Sequence, residues 1–144
     1  MKLLYITQYF PPEVGAGAVR SEAMVRYLSN DGWDVDVLTE IPNYPTGIVH
    51  SGYNNKWSYK EKVAKANVHR VWVWANQRNT ILQQIVFFVS FMISSLLFAI
   101  RNPKQYDVVY VSSPPIFAGI SGCLISKLFN AKFVFEVRDL WPDS

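Results

Sequence analysis

"KLLYITQYFPPEVGAGAVRSEAMVRYLSNDGWDVDVLTE", Lys2 to Glu40, decides the fold class. Lys2 to Thr7 is a short apolar run with β-branched and aromatic residues, the pattern of a buried strand. "QYFPPEVGAG" is a loop, broken by Pro11, Pro12, Gly15 and Gly17. Ala18 to Asn30 predicts a helix, with Val19 and Ala23 on one face, Met24 and Leu28 on the adjacent one, and Gly32 placed to end it. Asp34, Val35, Asp36 and Val37 alternate and open a second strand. Strand, glycine-containing loop, helix and strand in this order make a βαβ unit.

The pattern continues outward from that unit. "IPNYPTG" is a loop, and "SGYNNKWSYKEKVAKANVHR" is basic, irregular and without an assigned element. "VHRVWVW" has the composition of a strand, "DVVYVS" is a strong strand broken by "SSPP", Ile116 to Phe129 predicts a helix, and "KFVFEV" is the last strand. Alternation of this kind predicts an α/β fold: a Rossmann-like, mostly parallel sheet with helices on both faces, forming one domain over residues 1–144.

Composition sets bounds on function. Half of the 144 residues are hydrophobic and 15% are aromatic, which excludes a disordered tail. A net charge of +3 is too small to argue for nucleic acid, and suits an anionic membrane surface or a phosphorylated ligand. The single cysteine, Cys123, sits among apolar residues; it excludes an internal disulfide and makes a reducing cytoplasm the default. No metal constellation and no cofactor is called for.

Three stretches carry candidate chemistry. Gly15 and Gly17, with Arg20 on the following helix, are candidate substrate contacts, because a glycine loop at a helix N-terminus lets backbone N–H groups approach phosphate. The competing reading is a surface turn that needs φ > 0. Ser112 and Ser113 of "SSPP" face the ligand crevice, cap the next helix, or do both. "RDLWPDS" places Arg138 to pair a phosphate and Asp139 to move a proton or hold a sugar hydroxyl, or the two form a plain ion pair at a strand end.

"YITQYFPPEVGAGAVRSEAMVRYLSNDGWDVDVLTE", "VVYVSSPPIFAGISG" and "FVFEVRDLWPDS" together resemble the amino-terminal domain of family 4 retaining glycosyltransferases. The likeness is to the bacterial enzymes of O-antigen and capsule assembly that add an amino sugar to a lipid-linked acceptor. This resemblance implies the acceptor-side half of a GT-B fold, a nucleotide-sugar donor, and a polyprenyl-diphosphate-linked acceptor. It also implies that the chain is cut at its cleft edge, with the donor-binding domain absent and the fragment inactive alone. The glycine loop matches the family's approach to the donor diphosphate. Arg138 and Asp139 match the region where many members place an active-site His; no His stands there, and Asp139 is the catalytic candidate. His50 and His69 match nothing catalytic. The alternative function is a non-catalytic, membrane-associated binding module with a Rossmann-like fold.

"ILQQIVFFVSFMISSLLFAI" is 20 residues without a charge, long enough at about 30 Å to cross a bilayer core. Gln83, Gln84, Ser90, Ser94 and Ser95 fall within roughly 140° of its circumference, leaving an apolar arc of about 220° where a surface helix usually shows about 100°. A sheet-packed core helix, a helix that also meets a membrane, and a true span are the three readings. The expectation is peripheral attachment to the cytoplasmic face of the inner membrane through Phe87, Phe91 and Phe98, with Arg101 and Lys104 reaching lipid phosphates and the Lys56 to Lys65 region adding interfacial aromatics and charge.

Overall fold

The structure is a computed structural model and describes residues 1–138. Its elements run β1 (Lys2–Thr7), α1 (Ala16–Asn30), β2 (Asp34–Glu40), β3 (Ser58–Val63), β4 (Ala66–Val71), α2 (Ile81–Arg101), β5 (Val108–Ser112), α3 (Ile116–Leu128) and β6 (Lys132–Glu136). They build one six-stranded sheet in the order β3-β4-β2-β1-β5-β6. All neighbours are parallel except the β3–β4 hairpin. The Rossmann-like expectation therefore holds, with one antiparallel edge strand added in the stretch left unassigned from sequence.

Alternation along the strands divides the core between two faces. Leu3, Tyr5, Val35, Val37 and Val68 pack with Val25 of α1 on one side. Leu4, Ile6, Leu38, Val109 and Val111 pack on the other, with Phe87 and Phe91 of α2 and Ala118 and Ile125 of α3. Helix α3 approaches closely because it is rich in small residues. A Cβ at Gly122 would lie 2.1 Å from Val111 Cγ2, and one at Gly119 2.9 Å from the Phe135 ring.

Helix α2 corrects the membrane expectation at specific residues. Its sheet-facing stripe is Phe87, Phe91, Ser95 and Ala99, all buried at i, i+4 spacing. Phe87 and Phe91 are fully buried, each burial contributing about 2–3 kcal/mol, and cannot touch lipid in this fold. Phe98 is half-buried, packed on the core and against the His69 ring at 5.0 Å. Lys104 reaches inward: its Nζ donates to Asp36 Oδ2 at 2.5 Å. Arg101 alone of the five is exposed.

The polar stripe inferred on α2 is occupied locally. Gln83 closes a capping box with Thr80, its backbone N–H donating to Thr80 Oγ1 at 3.2 Å. Ser90 Oγ donates to the Phe87 carbonyl and accepts the Trp74 N–H, while Ser95 Oγ donates to the Met92 carbonyl. A serine satisfied by its own helix can face the core without leaving a donor unpaired. Gln84 of that stripe is exposed, as are the large apolar side chains of Ile81, Leu82, Ile85, Val86, Ile93, Leu97 and Ile100.

Candidate active-site cleft

Strand β1 pairs with β2 on one side and β5 on the other, so the chain changes direction between β1 and β5. In open parallel sheets, ligands sit past the carboxyl ends of the strands at such a point. A hollow of about 480 Å³ lies there. Tyr9, Val14 and Gly15 come from the loop after β1, Ala16 to Ala18 and Arg20 from the start of α1, Tyr44 from the loop after β2, and Pro114 and Arg138 from beyond β5 and β6.

The glycine loop divides into two different roles. Gly15 has φ 125 and is the N-cap of α1, where no side chain caps the first turn and no acidic residue stands in it. A Cβ there would be strained and would sit 3.4 Å from the Tyr44 ring. Gly17 lies inside α1, so φ > 0 is not its reason; a Cβ at Gly17 would come 3.3 Å from Arg138 Nη2. The missing side chain makes room for a guanidinium from the far side of the cleft. Free backbone donors in a first turn, with the helix dipole behind them, favour an anion.

Arg138 is positioned by its Nε, which donates to the Ser113 carbonyl. Arg20 forms an ion pair with Glu136, the last residue of β6, and that pairing holds its guanidinium at the rim. Ser112 Oγ donates to the same Glu136 at 3.2 Å. Ser112 is thus buried on a carboxylate and does not face the crevice. Neither serine caps α3, whose N-cap is Pro115 without a side-chain hydrogen bond. Pro114, not the serines, lines the cleft. Asp139 lies outside the described residues.

Sequence reasoning missed Tyr9, Tyr44 and Glu136. The two tyrosines meet edge to face with centroids 5.4 Å apart, forming one wall. Burial first and Glu40 second hold the Tyr9 hydroxyl above the usual phenol range. Tyr110, stacked on Tyr5 at 5.3 Å, is pushed up to about 12 by burial and then by Glu136. A signal for Glu136 was present: it closes the last strand two residues before Arg138, at the carboxyl end where ligands gather. Among the described residues, no group of His, Cys, Asp and Glu gathers as a metal site.

An α/β sheet with a cleft at its switch point defines a Rossmann-like domain. Residues 15–144 match the family of glycosyl transferase 4-like domains, and the chain belongs to that family. It is 31% identical over 144 residues to WcaI of Escherichia coli (strain K12), provisionally assigned as a colanic acid biosynthesis glycosyl transferase. The match covers 99% of this chain and 35% of WcaI, so the chain spans about a third of that relative's length. In fold, it is similar to the catalytic domain of starch synthase IV from Arabidopsis thaliana, bound to ADP and acarbose, with TM-score 0.60, 13% identity, 92% of this chain and 33% of that one. It is also similar to the C-terminal domain of the PF1911 hydrogenase from Pyrococcus furiosus, with TM-score 0.57, 14% identity, 94% of this chain and 90% of that one. A fold shared with proteins described so differently does not identify a reaction.

Proposed function

We propose that these residues form the acceptor-side domain of a retaining glycosyltransferase that moves a sugar from a nucleotide-sugar donor to a polyprenyl-diphosphate-linked glycan, in bacterial surface-polysaccharide synthesis. The observation that carries this reading is the convergence of the uncapped α1 N-terminus, Arg20 and Arg138 on one cleft. In the reaction the anomeric carbon–oxygen bond to the diphosphate breaks and a bond to the acceptor oxygen forms. The departing diphosphate gains negative charge while the acceptor hydroxyl gives up its proton. Guanidiniums and helix N–H groups stabilise a leaving phosphate of this kind.

The same reading includes peripheral attachment to the cytoplasmic face of the inner membrane, through a set of residues that keeps only Arg101 from those expected from sequence. By length and composition α2 is apolar enough to cross a membrane, but its Phe87–Ala99 stripe is packed on the sheet. Ile93, Leu97 and Ile100 on α2, and Ile116, Ile120, Leu124 and Leu128 on α3, remain exposed on the outer helical layer. Arg101 and Lys127 stand in the last turns of the two helices and suit anionic headgroups.

Two measurements test the reading. Inorganic pyrophosphate should shift the amide resonances of Gly15 to Ala18, and Arg138→Ala should weaken its binding about tenfold, the low end for a charged hydrogen bond. Nucleotide sugars supplied with a polyprenyl-diphosphate acceptor should not turn over on the 144-residue chain. Turnover at ordinary enzymatic rates refutes the half-enzyme reading, and absence of pyrophosphate binding refutes the phosphate role.

A further inference from the structure

A pair of carboxyl side chains lies beneath the cleft wall. Glu13 is 3% exposed and Glu40 is fully buried. Glu13 is held by backbone donors. Its Oε1 accepts the backbone N–H groups of Asn43 at 2.9 Å and Tyr44 at 3.1 Å, and its Oε2 accepts that of Phe10 at 3.4 Å. Glu40 has different surroundings. Its Oε2 accepts from Gln8 Nε2, while its Oε1 and the Gln8 Oε1 are both buried without a partner among the described residues. Burial first and the neighbouring Glu13 charge second hold Glu40 well above the usual carboxyl range. Neighbouring carboxylates out of water do not both ionise.

We infer that Glu40 stays protonated beside Glu13, and that its neutral side chain keeps Glu13 in place as the strap setting the rim of the cleft. The strap joins the loop after β1 to the loop after β2, through the amides of Asn43 and Tyr44. Tyr9, Val14, Gly15 and Tyr44, which flank its attachment points, are cleft walls. Glu13 and Glu40 are therefore positioning residues.

The other charged or titratable groups facing the pair do not remove the need for the proton. Arg70, from β4, donates to the Glu40 backbone carbonyl and to that of Pro11, and its Nε is paired with Glu61 at 2.6 Å. Arg78, from before α2, donates to Asn43 Oδ1 at 2.8 Å and lies over the Phe87 ring. Tyr9 has its own hydroxyl kept neutral by burial and by Glu40.

The sign of the pH effect follows. A carboxyl raised on folding contributes stability below its unfolded value, about 4.3, and that contribution is lost as pH rises through its folded value. Carboxyl-labelled and amide-labelled NMR titrations of the protein test this. One glutamate carboxyl should titrate well above the ordinary carboxyl range, with the Asn43 and Tyr44 amides shifting at the same midpoint. Glu40→Gln should abolish that titration and hold both amides at their low-pH positions. Pyrophosphate affinity should fall through the same midpoint in the wild type and not in Glu40→Gln. Ordinary titration of every glutamate, or amides that ignore the carboxyl, overturns the inference, and the wild-type titration decides it even if Glu40→Gln does not fold. Absence of pyrophosphate binding would instead overturn the proposed function and leave the carboxyl titration standing.

Discussion

Gly17→Ala should strengthen the fold and weaken the cleft. Gly17 lies in the first turn of α1, where alanine is favoured over glycine by about 0.5–1 kcal/mol. The new Cβ would stand 3.9 Å from Tyr9 Cδ2, an ordinary contact, and 3.3 Å from Arg138 Nη2. The guanidinium is the group that must give way. Its Nε is held by the Ser113 carbonyl, which restricts where it can go. A charged hydrogen bond to an anion is worth about 1.5–3 kcal/mol, and a partial loss corresponds to about tenfold in affinity. Urea denaturation should therefore show a higher midpoint for Gly17→Ala, while pyrophosphate calorimetry shows a weaker site. Gly17→Val, larger and β-branched, should weaken binding further and give up the gain in stability. Parallel losses of stability and binding in Gly17→Ala would mean the glycine serves packing. Unchanged binding would mean that the space it leaves is not what positions Arg138.

Three further outcomes follow from other contacts. Glu136→Gln releases Arg20 from its ion pair and removes a negative charge near the cleft; pyrophosphate should bind about fivefold tighter at low salt, a charge in a partly wet site being worth about 1 kcal/mol, with the gain shrinking as salt is added. Asp36 is buried, which raises its pKa, but hydrogen bonds from Lys104, Tyr106 and Asn67 outweigh burial and hold it below the usual range. Its stabilising contribution is present above the unfolded pKa and lost as pH falls through the folded one, so Lys104→Met should cost about 1–2 kcal/mol at neutral pH and move acid unfolding to higher pH. Ile93→Ser with Leu97→Ser should abolish flotation on anionic liposomes and leave the thermal midpoint nearly unchanged, whereas Phe91→Ser should lower the midpoint sharply; flotation that survives the first pair refutes the lipid face.

The parallel strands were legible because each is a short apolar run bounded by loop residues, and burial on both faces demands that composition. Strand β3 was not. "SYKEKV" alternates exposed and half-buried positions at the sheet edge, and charged residues there guard an unpaired edge. The turn into β4 places Ala64 at φ 54, a conformation for which the sequence offers no glycine or asparagine signal. Helix α2 was legible as an element but not in orientation. Its apolar arc exceeds what one core needs, and Ser95 is buried because its hydroxyl is satisfied within the helix. Periodicity cannot report that satisfaction.

The candidate site shows the same division. Gly15, Gly17, Arg20 and Arg138 could be named because they follow strand ends, and parallel strands deliver their ends to one edge. What holds those groups in place was hidden, since Glu136, Tyr44 and the Glu13–Glu40 pair act between segments distant in sequence. Glu13 illustrates why. In the sequence it is one acidic residue in a proline–glycine loop, where a solvated side chain is the ordinary expectation. Its burial arises only because the loop after β2 presents two N–H groups to it, and because Glu40 ends the neighbouring strand beside it. The residues that define the cleft are thus local signals, while the residues that give it a fixed shape depend on sheet order. Changes to the second group should alter affinity through geometry even where the residue replaced never touches the ligand.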